Sequence, residues 1–311
     1  MARLKSWRIF AIALSLIVSS PIAAAANMPD RLGFTASFHG VTSDLSTLMT
    51  TVMPSEMIEI KTVATPSVTA GDLSFTGTSW QWTAPPAPGR HEMTLTHGGE
   101  TMTLQIFVLT PFRNLEQSSL NGYKVGAYRK TLFKGLPNYA APKGFIDLSA
   151  GPKNLKISPH FTLGQFICKQ QPGHDPTYLL VQPETLIKLE TLLEAANKKG
   201  WNAKSFHVMS GFRTPHYNRS IGNRTTSSRH LYGDATDIWL DGDGDGRMDD
   251  LNGDGKITKD DARALAKLAE SLAAKGGRNW PSGGVGVYGP NSARGPFIHI
   301  DSRGYRARWG Q

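Results

Sequence analysis

Two short stretches of this 311-residue chain combine imidazole and carboxylate side chains at strand-like spacing. In Ser228-Arg229-His230-Leu231-Tyr232-Gly233-Asp234-Ala235-Thr236-Asp237, a histidine precedes an aspartate by seven residues, with a glycine turn between them. Alternation along the run that follows puts Ala235, Asp237 and Trp239 on one face. A carboxylate there is costly unless a positive group compensates it. The second stretch, Phe297-Ile298-His299-Ile300-Asp301, sets His299 and Asp301 on one strand face and the two isoleucines on the other. Two imidazoles and a carboxylate drawn from two strands make a three-ligand zinc site with one position left for water. A single cysteine, Cys168, excludes an internal disulfide and any zinc site built from cysteine pairs.

In their order along the chain these pieces resemble the M15-type zinc D-Ala-D-Ala metallopeptidases, whose zinc core is shared with hedgehog signalling domains. The resemblance covers about residues 155–311 and rests on Ser-Gly-Phe-Arg-Thr at 210–214, Tyr217-Asn218, Ser228-x-His230-x-x-Gly233-x-Ala235-x-Asp237, Gly283-Gly284-Val285-Gly286 and the strand around His299. It implies a zinc ion held by His230, Asp237 and His299, with Arg213 and Ser228 recognising a carboxylate of a peptidoglycan stem peptide. A bidentate guanidinium fork suits that task; a surface ion pair is the plainer reading of Arg213. His207 and His216 are read as structural.

Zinc lowers the pKa of its bound water toward ~7 and polarises a scissile carbonyl, but a base must still take the proton and return it to the leaving amine. The family commonly keeps that base two or three residues before the last zinc histidine. Here those positions are Phe297 and Pro296, which can do neither. Asp301 is the substitute by spacing, since it shares a face with His299 about 6.6 Å along the strand. Two alternatives stand beside it: Asp301 as a hydrogen-bond partner that holds a histidine, and Asp301 as the ligand with His299 as the base.

A second metal pattern follows the aspartate strand. Residues 241–261 hold eight Asp against three basic residues, a local −5. Read from Asp250, oxygen-bearing residues fall at Asp250, Asn252 and Asp254, then Gly255, Ile257 and finally Asp261 before a helical run. This resembles an EF-hand or dockerin-like calcium loop with its last Glu replaced by Asp. Read from Asp241, an overlapping loop offers Asp241, Asp243, Asp245, Gly246, Met248 and Asp249. An acidic, solvated loop is the bland alternative; glycine and Met/Ile kept in matching registers favour calcium.

The elements that must position these groups differ between the two halves. Between about 31 and 110, short β-prone runs such as 57–63, 80–83, 93–96 and 102–108 alternate with Pro/Gly clusters, the pattern of an Ig-like β-sandwich. Residues 111–156 read as a connecting segment. Beyond it, Pro183 and Gly200 bracket a helix carrying Leu186, Leu189 and Leu193, and a second helix spans about 261–275. Strands are expected at 205–209, 235–240, 284–288 and 297–301. Helices and strands mix without a βαβ rhythm, so the fold class is α+β, an N-terminal β-sandwich followed by an α+β zinc-peptidase domain.

Residues 1–26 read as a secretory signal peptide, with Arg3, Lys5 and Arg8 ahead of a ten-residue apolar core and a final alanine run. That core is too short to span a bilayer, so no transmembrane segment is expected after cleavage. The 34 Lys+Arg outnumber 25 Asp+Glu by +9, and three of those charges leave with the signal. No aromatic-rich RNA motif or basic helix points to nucleic acid. The expected protein is therefore a secreted, periplasmic zinc peptidase that cuts peptidoglycan stem peptides or cross-links, as a D,D-carboxypeptidase or endopeptidase, through a zinc-bound hydroxide, with structural calcium. The alternatives are a non-catalytic, zinc-stabilised wall-binding module and a calcium-dependent adhesin.

Overall fold

The computed structural model describes residues 30–113, 118–277 and 279–310, so the expected signal peptide lies outside the described residues. It is a strand-rich α+β fold. Nine strands come from residues 31–108: β1 (Arg31–Phe38), β2 (Val41–Leu45), β3 (Thr47–Val52), β4 (Met57–Thr62), β5 (Thr65–Val68), β6 (Asp72–Phe75), β7 (Trp80–Thr83), β8 (Gly89–His97) and β9 (Glu100–Val108). They form two sheets, ordered β2-β1-β4-β7-β6 and β3-β9-β8-β5. Period-two patterning explains them: Phe34, Ala36 and Phe38 of β1, Ile58 and Ile60 of β4, and Met102, Leu104 and Ile106 of β9 are all buried, while the residues between are polar. β3 pairs with β9 in parallel.

Short strands thread the segment that follows: β10 (Thr110–Pro111), β11 (Ser119–Leu120), β12 (Tyr123–Lys124), β13 (Gly144–Asp147) and β14 (Tyr178–Leu179), with β13 pairing both β10 and β14. This small sheet ties the first half to the second.

The second half is built on one five-stranded sheet ordered β15-β16-β18-β17-β19, from β15 (Phe206–Ser210), β16 (Ala235–Leu240), β17 (Gly284–Tyr288), β18 (Phe297–Asp301) and β19 (Ala307–Trp309). Its helices are α1 (Pro183–Lys198), α2 (Pro215–Ser220) and α3 (Lys259–Lys275). One sheet face carries Ile238, Leu240, Val285, Val287, Ile298 and Ile300, all buried. Helix α3 packs on β17 and β18 and against α1, and Leu265, Ala266 and Ala269 on its inner side join Leu186, Leu189 and Leu193 of α1 in the same core. Ile298 and Ile300 are fully buried, each contributing roughly 1.5–3 kcal/mol against exposure.

The other face carries the chemistry, and the strand registers order it in rows. Asp237 pairs with His299, His299 with Gly286, and Gly286 with Trp309. On one side lies the row His207, Trp239, Phe297 and Tyr288. On the other lie Ala235, Asp301 and Gly284. Among the described residues, no helix is long and apolar enough to cross a membrane.

Candidate metal centre

His230 enters on a 3₁₀ turn, Arg229–Tyr232, which Gly233 ends in a left-handed conformation (φ 73°). A Cβ at Gly233 would also meet the Leu180 carbonyl at 2.7 Å, so the turn needs glycine twice over. Asp237 and His299 come from adjacent antiparallel strands. His299 Nδ1 is 2.9 Å from Asp237 Oδ1, His230 Nε2 is 3.2 Å from His299 Nδ1 and 3.3 Å from Asp237 Oδ1.

What surrounds the three groups sets their protonation. The Gly211 carbonyl, 2.7 Å from His230 Nδ1, can only accept, so Nδ1 carries the proton and the Nε2 lone pair faces inward. Asp301 Oδ2, 3.0 Å from His299 Nε2, does the same for the second ring. Arg213 Nη2 donates to Asp237 Oδ2, leaving Oδ1 to the cluster. With the outer nitrogens so engaged, three inner donor atoms converge, and either a proton on His299 Nδ1 or a metal cation can sit between them. A tetrahedral metal with bonds of about 2.0–2.1 Å spaces its ligands by about 3.3 Å, close to the separations here. A His₂Asp donor set suits zinc.

The electrostatics agree. Burial pushes the His230 pKa down, which keeps the ring neutral as a ligand must be. Burial also opposes charge on His299, but hydrogen bonds to Asp237 and Asp301 outweigh it and raise its pKa to about 9. In the chain alone a proton therefore sits where a metal would. Burial of Asp237 is outweighed by the two imidazoles, which hold its carboxyl well below the usual range.

Other expected site residues are placed differently. Asp301, put forward as a base by spacing, has its oxygens turned away from the donor cluster. They accept from His299 Nε2, from Gly284 N at 2.8 Å, from Arg303 N at 3.1 Å and from the Arg303 fork at 2.5–3.0 Å. That geometry fits the alternative in which Asp301 holds a histidine, and it leaves His299 facing the cluster as a ligand. Arg213, expected to meet a substrate carboxylate, is engaged with Asp237 through Nη2 and with Ser210 Oγ at 2.7 Å through Nε. Ser228 precedes the 3₁₀ turn, half-buried, and its carbonyl accepts from Leu231 N at 3.2 Å. His207 stacks on Trp239, ring centres 3.9 Å apart; His216 lies on α2.

Sequence reasoning missed Trp309 and the reason for the glycines of β17. A Cβ at Gly286 would lie 2.2 Å from the Trp309 ring and one at Gly284 would lie 3.0 Å from it. Two glycines therefore let the indole lie on the strand, with its ring centre 5.1 Å from that of His299. The Arg303 guanidinium caps that indole at 5.1 Å.

In the acidic segment, Asp241, Asp243 and Asp245 bring oxygens within 4.8 Å of one another. Asp241 accepts from Gly244 N and Gly246 N, and nine residues later Asp250 accepts from Gly253 N and Gly255 N in the same register. Asp249 closes the first loop by accepting from Gly242 N. The second set does not gather: among the described residues, Asp250, Asp254 and Asp261 form no such group. The Asn252 amide donates to Asp254 Oδ2. Asp261, expected as the last calcium ligand, is fully buried and accepts from Leu251, Asn252 and Thr258 N–H groups, capping α3. Ile257 is exposed, whereas Met248 in the matching register is buried.

Comparison with known proteins adds one finding. No curated protein matches the chain, and no solved structure does. Residues 159–252 match the family model described as Peptidase M15, a span that takes in Arg213, Ser228, His230 and Asp237 and stops short of His299. Over this span, which supplies two of the three converging donors, the chain is similar to the M15 peptidases.

Proposed function

We propose that the protein is a secreted zinc peptidase that hydrolyses peptide bonds in peptidoglycan stem peptides or cross-links. The observation that carries the reading is the convergence of His230 Nε2, Asp237 Oδ1 and His299 Nδ1, each oriented by a separate hydrogen bond. When bound, zinc supplies a Lewis acid for the scissile carbonyl and activates water at neutral pH. The chain's own residues orient: Gly211 and Asp301 hold the two rings, and Arg213 holds the carboxylate. The signal peptide expected from the sequence supports a periplasmic site for the reaction. The two sheets of residues 31–108 are read as an Ig-like β-sandwich module joined by residues 111–156 to the peptidase domain of 157–311.

The acidic segment is proposed to take calcium, with Asp241, Asp243 and Asp245 as the nucleus and Asp249, Asp250, Asn252 and Asp254 around it. Added calcium should then raise the melting temperature of chelator-treated protein, and an unchanged melt would remove calcium from the account.

The test of function is incubation of the mature protein and its His230→Ala variant with purified sacculi and zinc, followed by mass spectrometry of released fragments. Loss of D-alanine alone marks a carboxypeptidase, and loss of cross-linked dimers marks an endopeptidase. A second reading, a non-catalytic wall-binding module, is favoured by Phe297 and Pro296 standing where the family keeps its base. Stoichiometric zinc without any released fragment would establish it.

A further inference from the structure

Arg213 spends Nε on Ser210 and Nη2 on Asp237, and a second arginine lies near the metal row. Arg294 lies in the loop between β17 and β18. Its guanidinium rests on the Phe297 ring at 4.3 Å and beside the Tyr288 ring at 5.6 Å. Those two rings are themselves stacked, centres 4.5 Å apart and parallel, and Trp309 Nε1 fixes Tyr288 by donating to its hydroxyl at 2.8 Å. Arg294 is half-buried, and among the described residues its only side-chain hydrogen bond is a long one, 3.5 Å to the Gly289 carbonyl. It makes no ion pair among the described residues, and the Lys259 stem passing Gly289 brings a second cation to this loop.

We propose that Arg294 is the specificity residue that receives the free carboxylate of the leaving residue of the substrate. The inference rests on the peptidase reading for the word substrate, and on geometry for the rest. Stacking uses the face of a guanidinium and leaves its N–H edge free for two parallel bonds to a carboxylate. Phe297 shares the open sheet face with His299 two residues away, about 6.6 Å along the strand. A leaving residue reaches ~3.8 Å beyond the scissile bond, and a charge-assisted bond adds ~2.8 Å. Phe297, the ring on which Arg294 rests, therefore stands one residue's length along the strand from His299. The arginine takes a peptide acid; an amide lacks both the second oxygen and the charge it pairs with, and an ester lacks the charge.

The experiment measures binding of N-acetyl-D-alanyl-D-alanine and of its C-terminal amide by calorimetry. It uses the mature chain and its Arg294→Gln and Arg294→Lys variants, each without metal and with zinc. Wild type is expected to bind the acid about tenfold or more tighter than the amide. Arg294→Gln should abolish that preference with the amide unaffected, and Arg294→Lys, which keeps the charge without the fork, should fall between. Equal binding of acid and amide by wild type, or an undiminished preference in Arg294→Gln, overturns the proposal. Cleavage is read separately in the zinc-loaded samples. An Arg294-dependent preference for the acid without cleavage would refute the peptidase reading and leave the carboxylate site standing.

Discussion

At the scale of single residues, the centre is a set of lone pairs aimed by hydrogen bonds, and Asp301 is the partner whose role differs most from the one its spacing suggests. Its carboxylate, held far below the usual range by His299 and Arg303 despite burial, fixes which nitrogen of His299 faces the cluster. A partner of this kind is worth about 10–100-fold in metal affinity. Asp301→Asn should therefore weaken zinc binding by that factor, as read by competition with a chromogenic chelator, with turnover restored at saturating zinc. A base would behave oppositely, losing turnover at unchanged zinc affinity. His230, Asp237 and His299 were legible in the sequence because the chemistry admits few residue types at those positions. The engagement of Arg213 and the stacking of Arg294 on Phe297 were not, since both depend on which side chains the folded sheet sets beside them.

At the scale of elements, β16, β17 and β18 could be read from alternation, because one face must be apolar against α3 while the other need not be. β19 could not: three residues, Ala307–Trp309, pair in parallel with β17 and carry no period of their own. Yet β19 delivers Trp309 to the metal row, and the glycines of β17 exist to receive it. Gly286→Ala should displace the indole and cost about 1–3 kcal/mol, the usual penalty of overpacking, lowering the melting temperature. The double variant Gly286→Ala, Trp309→Leu should recover part of that loss if the clash is the cause. Recovery absent, the glycine would be needed for its backbone alone. The helices were legible for a different reason, since Pro183 and the Thr258–Asp261 capping box mark where α1 and α3 begin. The acidic segment shows the limit of motif reading: Asp261 sits at a ligand register and is consumed as a helix cap.

At the scale of the whole molecule, the first half is tied to the second by charge as well as by the small central sheet. Arg31 of β1 donates to Asp44 at 2.7 Å, to Glu194 of α1 at 2.8 Å and to Thr191 at 3.1 Å. Beside it, Glu190 of α1 is buried and accepts from Ser158 Oγ, His160 N and the His160 ring at 2.6–2.8 Å, with Asp30 3.6 Å from the same ring. The bond to Glu190 raises the His160 pKa above its ordinary 6.5, against burial and with Asp30 adding to the rise and Lys156 opposing it. A histidine whose folded pKa exceeds its unfolded value contributes stability that is complete below the unfolded pKa and is lost as pH rises through the folded one. The junction should therefore be firmest below about pH 6.5 and loosen toward alkaline pH, where His160 turns neutral. His160→Gln removes that titration, so the gap in melting temperature between wild type and variant should narrow as pH is raised from 6 to 9. A gap that stays constant across that range would mean the ring's packing, and not its charge, holds the two halves together.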